Sequence, residues 1–210
     1  MKILSVLLLF ATISVRAGEF VNLKFDEPDL SGPLVPEFEN GPLVGTAAKL
    51  LRGWTVLGNG VPLQDAGYSP AGTFGFYAPV GIHDNAFDFR KEDFGNYGVV
   101  AISDSLVGRP SLSIRQTGTV PADAATLEIF NGGHVWVRVN GELIGESDVS
   151  YPIFDVARFA GQTVDLEFDF GRGQQTSFDV FGFKPVPEPA TWTLLGAGLL
   201  AVPWILRSKR

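Results

Sequence analysis

Apolar and polar residues alternate along much of this chain. Val164, Leu166, Phe168 and Phe170 share one face of a segment whose other face carries Asp165, Glu167 and Asp169. That period of two predicts a half-buried strand with a wet acidic side. Val135, Val137 and Val139 oppose Trp136 and Arg138 in the same way. Asn140-Gly141 comes next, the residue pair best suited to a type I′ hairpin turn, and Leu143-Ile144 begins the return strand. Ser111–Gln116, Thr126–Phe130 and Phe178–Phe183 read as further strands, with Gly171-Arg172-Gly173 as a hairpin tip. The first half is less regular. Phe20–Phe25 alternates, Trp54–Leu57 is a short strand closed by Gly58-Asn59-Gly60, and Asn96–Ile102 is short and apolar. Segment 26–48, rich in Pro and Gly, reads as a long loop, and 60–82 is turn-rich with aromatics at Tyr68, Phe74, Phe76 and Tyr77. No body segment keeps a 3.6-residue apolar period over ten residues; the nearest, Pro152–Ala160, predicts a helical turn or an irregular crossover. Many short strands punctuated by Gly, Pro and Asn predict an all-β, antiparallel β-sandwich.

The two ends break this pattern. Met1-Lys2 leads into an apolar stretch over Ile3–Ile13, and Val15-Arg16-Ala17 offers small residues for cleavage before Gly18. This is the order of a secretory signal peptide, residues 1–17. At the other end no charged side chain stands between Pro189 and Arg207. The run 190–206 is near the shortest helix that crosses a hydrocarbon core of about 30 Å at about 1.5 Å per residue. Trp192 and Trp204 sit near its ends, suited to the lipid boundary. Arg207, Lys209 and Arg210 come directly after, and basic residues stay cytoplasmic, which puts the body, residues 18–184, outside.

Charge changes once these ends are set apart. Five of the 16 basic residues (Lys2, Arg16, Arg207, Lys209, Arg210) and one of the 23 acids (Glu188) lie in them, which leaves 11 basic against 22 acidic residues, a net −11. A surface of that sign repels phosphate backbones, so nucleic acid is not an expected partner. The chain has no cysteine. It therefore holds itself by packing and hydrogen bonds, and thiolate nucleophiles and thiolate metal sites are excluded.

The tail, residues 185–210, resembles the PEP-CTERM sorting signal of exported bacterial proteins. The resemblance rests on Val186-Pro187-Glu188-Pro189, then the apolar run, then Arg207, Lys209 and Arg210 in fixed order. It implies the secretion machinery and an exosortase as partners, recognition at Pro187-Glu188-Pro189, processing near there, and delivery to the envelope membrane, the surface or an exopolysaccharide matrix. Ser111–Phe130, the hairpin at Asn140-Gly141 and Phe154–Phe168, with Phe25-Asp26, Gly53-Trp54 and Asp179-Val180, are similar to exported PEP-CTERM proteins with jelly-roll, galactose-binding-like bodies. That resemblance implies a jelly-roll fold and no assigned activity.

Candidate chemistry is sparse. His83 is followed by Asp84 and Asp88, a pattern of a solvated loop more than of a metal site, and His134 reads as a turn residue. No G-x-S-x-G elbow occurs. Asp165, Glu167 and Asp169 share a face, but paired carboxylates for glycoside hydrolysis also need an environment that raises one pKa, and that face offers none. Sugar-binding jelly rolls often carry structural calcium where first and last strands meet, which makes Asp26, Glu27 and Asp179 the candidate ligands of such an ion; no other cofactor is expected. Exposed aromatic rings can stack on sugars, and Trp136, opposite the valine face, and Trp54 are the candidates. The expectation is an exported, non-catalytic structural or adhesive protein. A module that recognises exopolysaccharide comes second, and a glycoside hydrolase third.

Overall fold

The computed structural model describes residues 18–36, 43–69, 79–84, 97–103, 111–171 and 174–185. The expected signal peptide, the span 190–206 and the sorting residues from Val186 onward lie outside them. Among the described residues no helix is long and apolar enough to cross a membrane.

The body is two packed sheets. The strands are β1 (Val35–Pro36), β2 (Leu43–Thr46), β3 (Thr55–Gly58), β4 (Val61–Pro62), β5 (Asp65–Ser69), β6 (Val80–Asp84), β7 (Tyr97–Ser103), β8 (Leu112–Thr119), β9 (Ala124–Asn131), β10 (Val135–Val139), β11 (Glu142–Ser147), β12 (Ile153–Asp155), β13 (Thr163–Asp169) and β14 (Gln174–Pro185). One sheet has the order β1-β2-β5-β6-β7-β14-β9-β12, the other β11-β10-β13-β8-β3-β4. From β7 onward the chain crosses repeatedly between sheets, which makes a jelly-roll-like sandwich. The only described helices are one turn at Ala47–Leu50 (α1) and a 3-10 turn at Ala157–Phe159.

Alternation does what the sequence predicts where one face is buried. In β13 Val164, Leu166 and Phe168 are buried, while Asp165, Glu167 and Asp169 are half-buried on the outside. In β10 the three valines are buried and Trp136 and Arg138 half-buried. Asn140 and Gly141 take φ of +53° and +79°, the left-handed pair a type I′ turn requires. Asn59 and Gly60, at +49° and +78°, do the same between β3 and β4, where the sequence suggests only a strand end.

Aromatic rings tie the sheets together. Phe168 of β13 meets Phe178 of β14 at 4.6 Å between centroids, Phe170 meets Phe178 at 5.2 Å, and Trp54 meets Phe168 at 5.8 Å. Phe25 stacks on Trp54 at 5.2 Å and closes the cluster.

Four expectations fail. Phe20–Phe25 is a turn and not a strand: Asn22 and Phe25 have φ of +51° and +58°, and the Phe25 N–H donates to the Asn22 carbonyl at 3.1 Å. Phe25 is buried in the core, Phe20 and Leu23 pack against it partly buried, and Val21 is exposed. Within 26–48, read as loop, β1, β2 and α1 form; the turn-rich segment 60–82 holds β4, β5 and the start of β6. Gly171 is not part of a hairpin tip, because β13 and β14 belong to different sheets. The eight-stranded sheet is mixed, since β5 and β6 run parallel.

One of the contacts that fix the N-terminal segment to the body is a close approach at Gly118. A Cβ on Gly118 would lie 2.6 Å from the Phe20 ring, which itself packs on Phe183 at 5.5 Å. Gly118→Ala must push that ring away. We expect a loss of about 1–3 kcal/mol in urea unfolding, the usual cost of overpacking. An unchanged midpoint would mean that Phe20 does not lie there.

Candidate functional site

The outer face of the six-stranded sheet gathers most of the polar chemistry. Register puts Trp136 beside Asp169 and Asp169 beside Ser113. In the next row Arg138 stands beside Glu167, Glu167 beside Arg115, and Arg115 beside Thr55. Asp165 stands beside Thr117, whose hydroxyl donates to the Asp165 carboxylate. The acidic face read from β13 is therefore interleaved with two arginines from its neighbours. Sequence alternation could not show this, because it depends on which strands are adjacent.

Trp136 is on this face, as its spacing predicts. Its surroundings are crowded. The His134 ring lies 4.2 Å away at 55°, and a Cβ on Gly171 would meet the indole at 2.6 Å. His134, expected in a turn, is half-buried, with Nε2 at 3.9 Å from a Glu146 carboxylate oxygen.

Trp54 is not a surface platform. It is 4% exposed, stacked in the aromatic cluster, and its Nε1–H donates to the Asn22 carbonyl at 3.1 Å. Neither ring face is open to a sugar. His83 is also not in a solvated loop: it is buried in β6, paired across to Ser69 of β5 and Gly98 of β7.

Of the three carboxylates expected to hold calcium, Asp26 and Asp179 lie near one another, but the three do not group. Glu27 is exposed and lies 3.5 Å from Arg52. Asp179 is buried at 3% exposure and accepts the Val180 N–H at 2.7 Å. Burial pushes its pKa up to about 9, and the nearby charge of Asp26 adds to the rise. Among the described residues no three His, Cys, Asp or Glu side chains group as metal ligands. A calcium ion needs 6–8 oxygens, so this donor set does not fit one.

A cleft of about 390 Å³ opens on the same outer face, and no motif announces it. β3 pairs with β8 only as far as Thr55–Arg115, and the next chain along that edge is the bridge from Glu19 to Thr119. The gap between them is lined by Gly53, Thr55, Arg115, Gln116, Thr117 and Asp165. Gly53 has φ of +84°, and a Cβ there would stand 2.7 Å from the Val21 carbonyl oxygen, so glycine is required. Gln116 is 5% exposed, and its Nε2–H donates to that carbonyl at 2.7 Å. Its Oε1 is buried without a donor in the protein, a situation worth about 1–3 kcal/mol when left unmet.

The last strand ends at Pro185, opposite Ala124. Comparison with known families decides the nature of the remaining residues: 185–210 match the PEP-CTERM protein-sorting motif. The chain carries a PEP-CTERM tail. This signal marks it for export and for the membrane or cell surface. The match covers the tail alone, so the body has to be read from its geometry. No curated protein matches the chain. Among solved structures, one similar fold is a glycoside hydrolase family 43 arabinoxylan arabinofuranohydrolase from Bacillus subtilis, in complex with cellotetraose. It is 15% identical with a TM-score of 0.34, and the match covers 69% of this chain and 38% of that one. So remote a likeness assigns nothing to the body of the PEP-CTERM chain.

Proposed function

We propose that this chain is an exosortase-processed surface or matrix protein whose body, residues 18–184, has a non-catalytic structural or adhesive role. The PEP-CTERM tail carries this reading. The body's attachment geometry supports it. The Thr119 N–H donates to the Gly18 carbonyl at 3.2 Å, and Pro185 stands opposite Ala124, so both ends leave by the β8–β9 connection. The row of Trp136, Asp169 and Ser113 lies six residues further along β8, about 20 Å away at about 3.3 Å per residue. A body anchored through its tail would hold that row away from the membrane.

The test is in the producing cell. With the exosortase present, intact-mass analysis of the surface and matrix fraction should find a chain lacking residues 1–17 and shortened near Pro187-Glu188-Pro189. Glu188→Ala should leave the tail attached and the protein in the membrane. Recovery of the wild-type protein uncut from the cytosol would end the proposal.

A second reading, contact with exopolysaccharide, is favoured by one observation: the outer face of the six-stranded sheet is polar, interleaves both charge signs, and contains a cleft.

A further inference from the structure

We propose that the cleft between Gly53, Thr55, Arg115, Gln116, Thr117 and Asp165 is a subsite for one neutral, polyhydroxylated sugar unit of a polysaccharide. This rests on the second reading above and deepens it by naming the place and the ligand chemistry.

The cleft is built, not incidental. It exists because β3 leaves β8 after Thr55, and its floor is held by Gly53 in a left-handed conformation that no side chain could share. Its volume of about 390 Å³ falls in the range of small-ligand sites, about 300–1,000 Å³. Gln116, paired with the core residue Leu166, is fixed by its bond to the Val21 carbonyl, which sets the cleft's inner edge.

The lining then selects the ligand class. Asp165 accepts, the Arg115 guanidinium donates, the Thr55 hydroxyl can do both, and the Thr117 hydroxyl, which gives its proton to Asp165, can accept. Asp165 is already held by the Thr117 hydroxyl, so its position is set before anything binds. An anionic group would satisfy Arg115 but face the Asp165 carboxylate and the neighbouring Glu167. An ammonium group would satisfy the acceptors but meet Arg115. Adjacent neutral hydroxyls donate to one side and accept from the other, which is what this lining asks for. The body's net charge of −11 also disfavours uronate-rich chains. The site lies one strand over and four residues along from Trp136, since Trp136 pairs with Asp169 and the cleft is at Asp165. It is thus separate from the tryptophan, and it binds by hydrogen bonds more than by stacking.

The experiment titrates the full chain, in mild detergent, with neutral gluco-, galacto-, manno- and xylo-oligosaccharides and with oligogalacturonate, by calorimetry and by amide shifts. At least one neutral series should bind in the millimolar range or tighter and move the amides of Thr55, Arg115 and Thr117. Oligogalacturonate should bind at least tenfold more weakly. Thr117→Val, nearly isosteric, and Arg115→Ala should each weaken binding about tenfold with an unchanged melting temperature, whereas Trp136→Ala should weaken it less than threefold. Should Arg115→Ala misfold, Thr117→Val alone decides. Tighter binding of the uronate, or neutral binding unaffected by Thr117→Val, overturns the subsite and leaves polysaccharide contact standing. Absence of binding to every sugar overturns the subsite and the second reading together, while the exosortase-processed surface role is judged separately by the cell fractionation.

Discussion

Trp54→Ala should lower the stability of the body by about 3–5 kcal/mol, the cost of emptying a large aromatic site in a packed core. The indole is 4% exposed, stacks on Phe25, packs against Phe168, and gives its N–H to the Asn22 carbonyl. Three separate pieces of chain therefore meet on one side chain: the N-terminal turn, the start of β3, and β13. Its removal leaves a cavity and deprives the Asn22 carbonyl of its donor, and two such losses in one cluster do not relax easily. Trp54→Phe should recover the packing and lose the bond, at about 1–2 kcal/mol. Trp136→Ala should cost far less, because that ring is half-buried on the outer face. The measurement is the urea midpoint of each variant under common conditions. A Trp54→Ala protein as stable as wild type would mean that the cluster is not the centre of the fold.

This contrast shows how far the sequence can be read. Alternation identifies β8, β10 and β13 because each has one wet face, and a period of two then survives in the residue types. β5 is hidden: Ala66, Gly67, Tyr68 and Ser69 are all buried, so neither face is marked by polarity. The first residues mislead in the opposite way. Val21, Leu23 and Phe25 alternate with polar neighbours, yet the backbone turns at Asn22 and Phe25, and only Phe25 is fully buried while Val21 is exposed. Side-chain pattern records which residues seek burial, not whether a strand or a turn delivers them. The two tryptophans cannot be separated by pattern for the same reason. Trp136 is flanked by valines that declare its face, whereas Trp54 stands at a strand entrance where no period applies. The cleft is illegible because its members, Gly53, Thr55 and Arg115 to Thr117, become a site only where one strand departs from another. The sorting motif at 185–210 is legible, since a signal of this kind is a linear stretch of sequence.

Asp179→Asn should stabilise the body at neutral and alkaline pH and have little effect near pH 4. The carboxyl is buried at 3% exposure, and desolvation, reinforced by Asp26, pushes its pKa up to about 9 against 3.8 for an ordinary aspartate. The folded state therefore holds a proton that the unfolded chain releases. Stability tied to this group is thus fully present below the unfolded value, near 4, and is lost progressively as pH rises towards 9. The limiting slope is about 1.4 kcal/mol per pH unit, and water penetration around the carboxyl should reduce the loss between pH 5 and pH 8 to about 1–3 kcal/mol. Asparagine keeps the oxygen that accepts the Val180 N–H, never ionises, and so removes the pH-dependent part alone. The informative quantity is the difference in melting temperature between wild type and Asp179→Asn, which cancels what the two proteins share. That difference should grow steadily from pH 5 to pH 8 in favour of the asparagine variant. A flat difference across this range would mean that Asp179 is ionised in the folded protein, held there by a positive partner that burial alone does not supply.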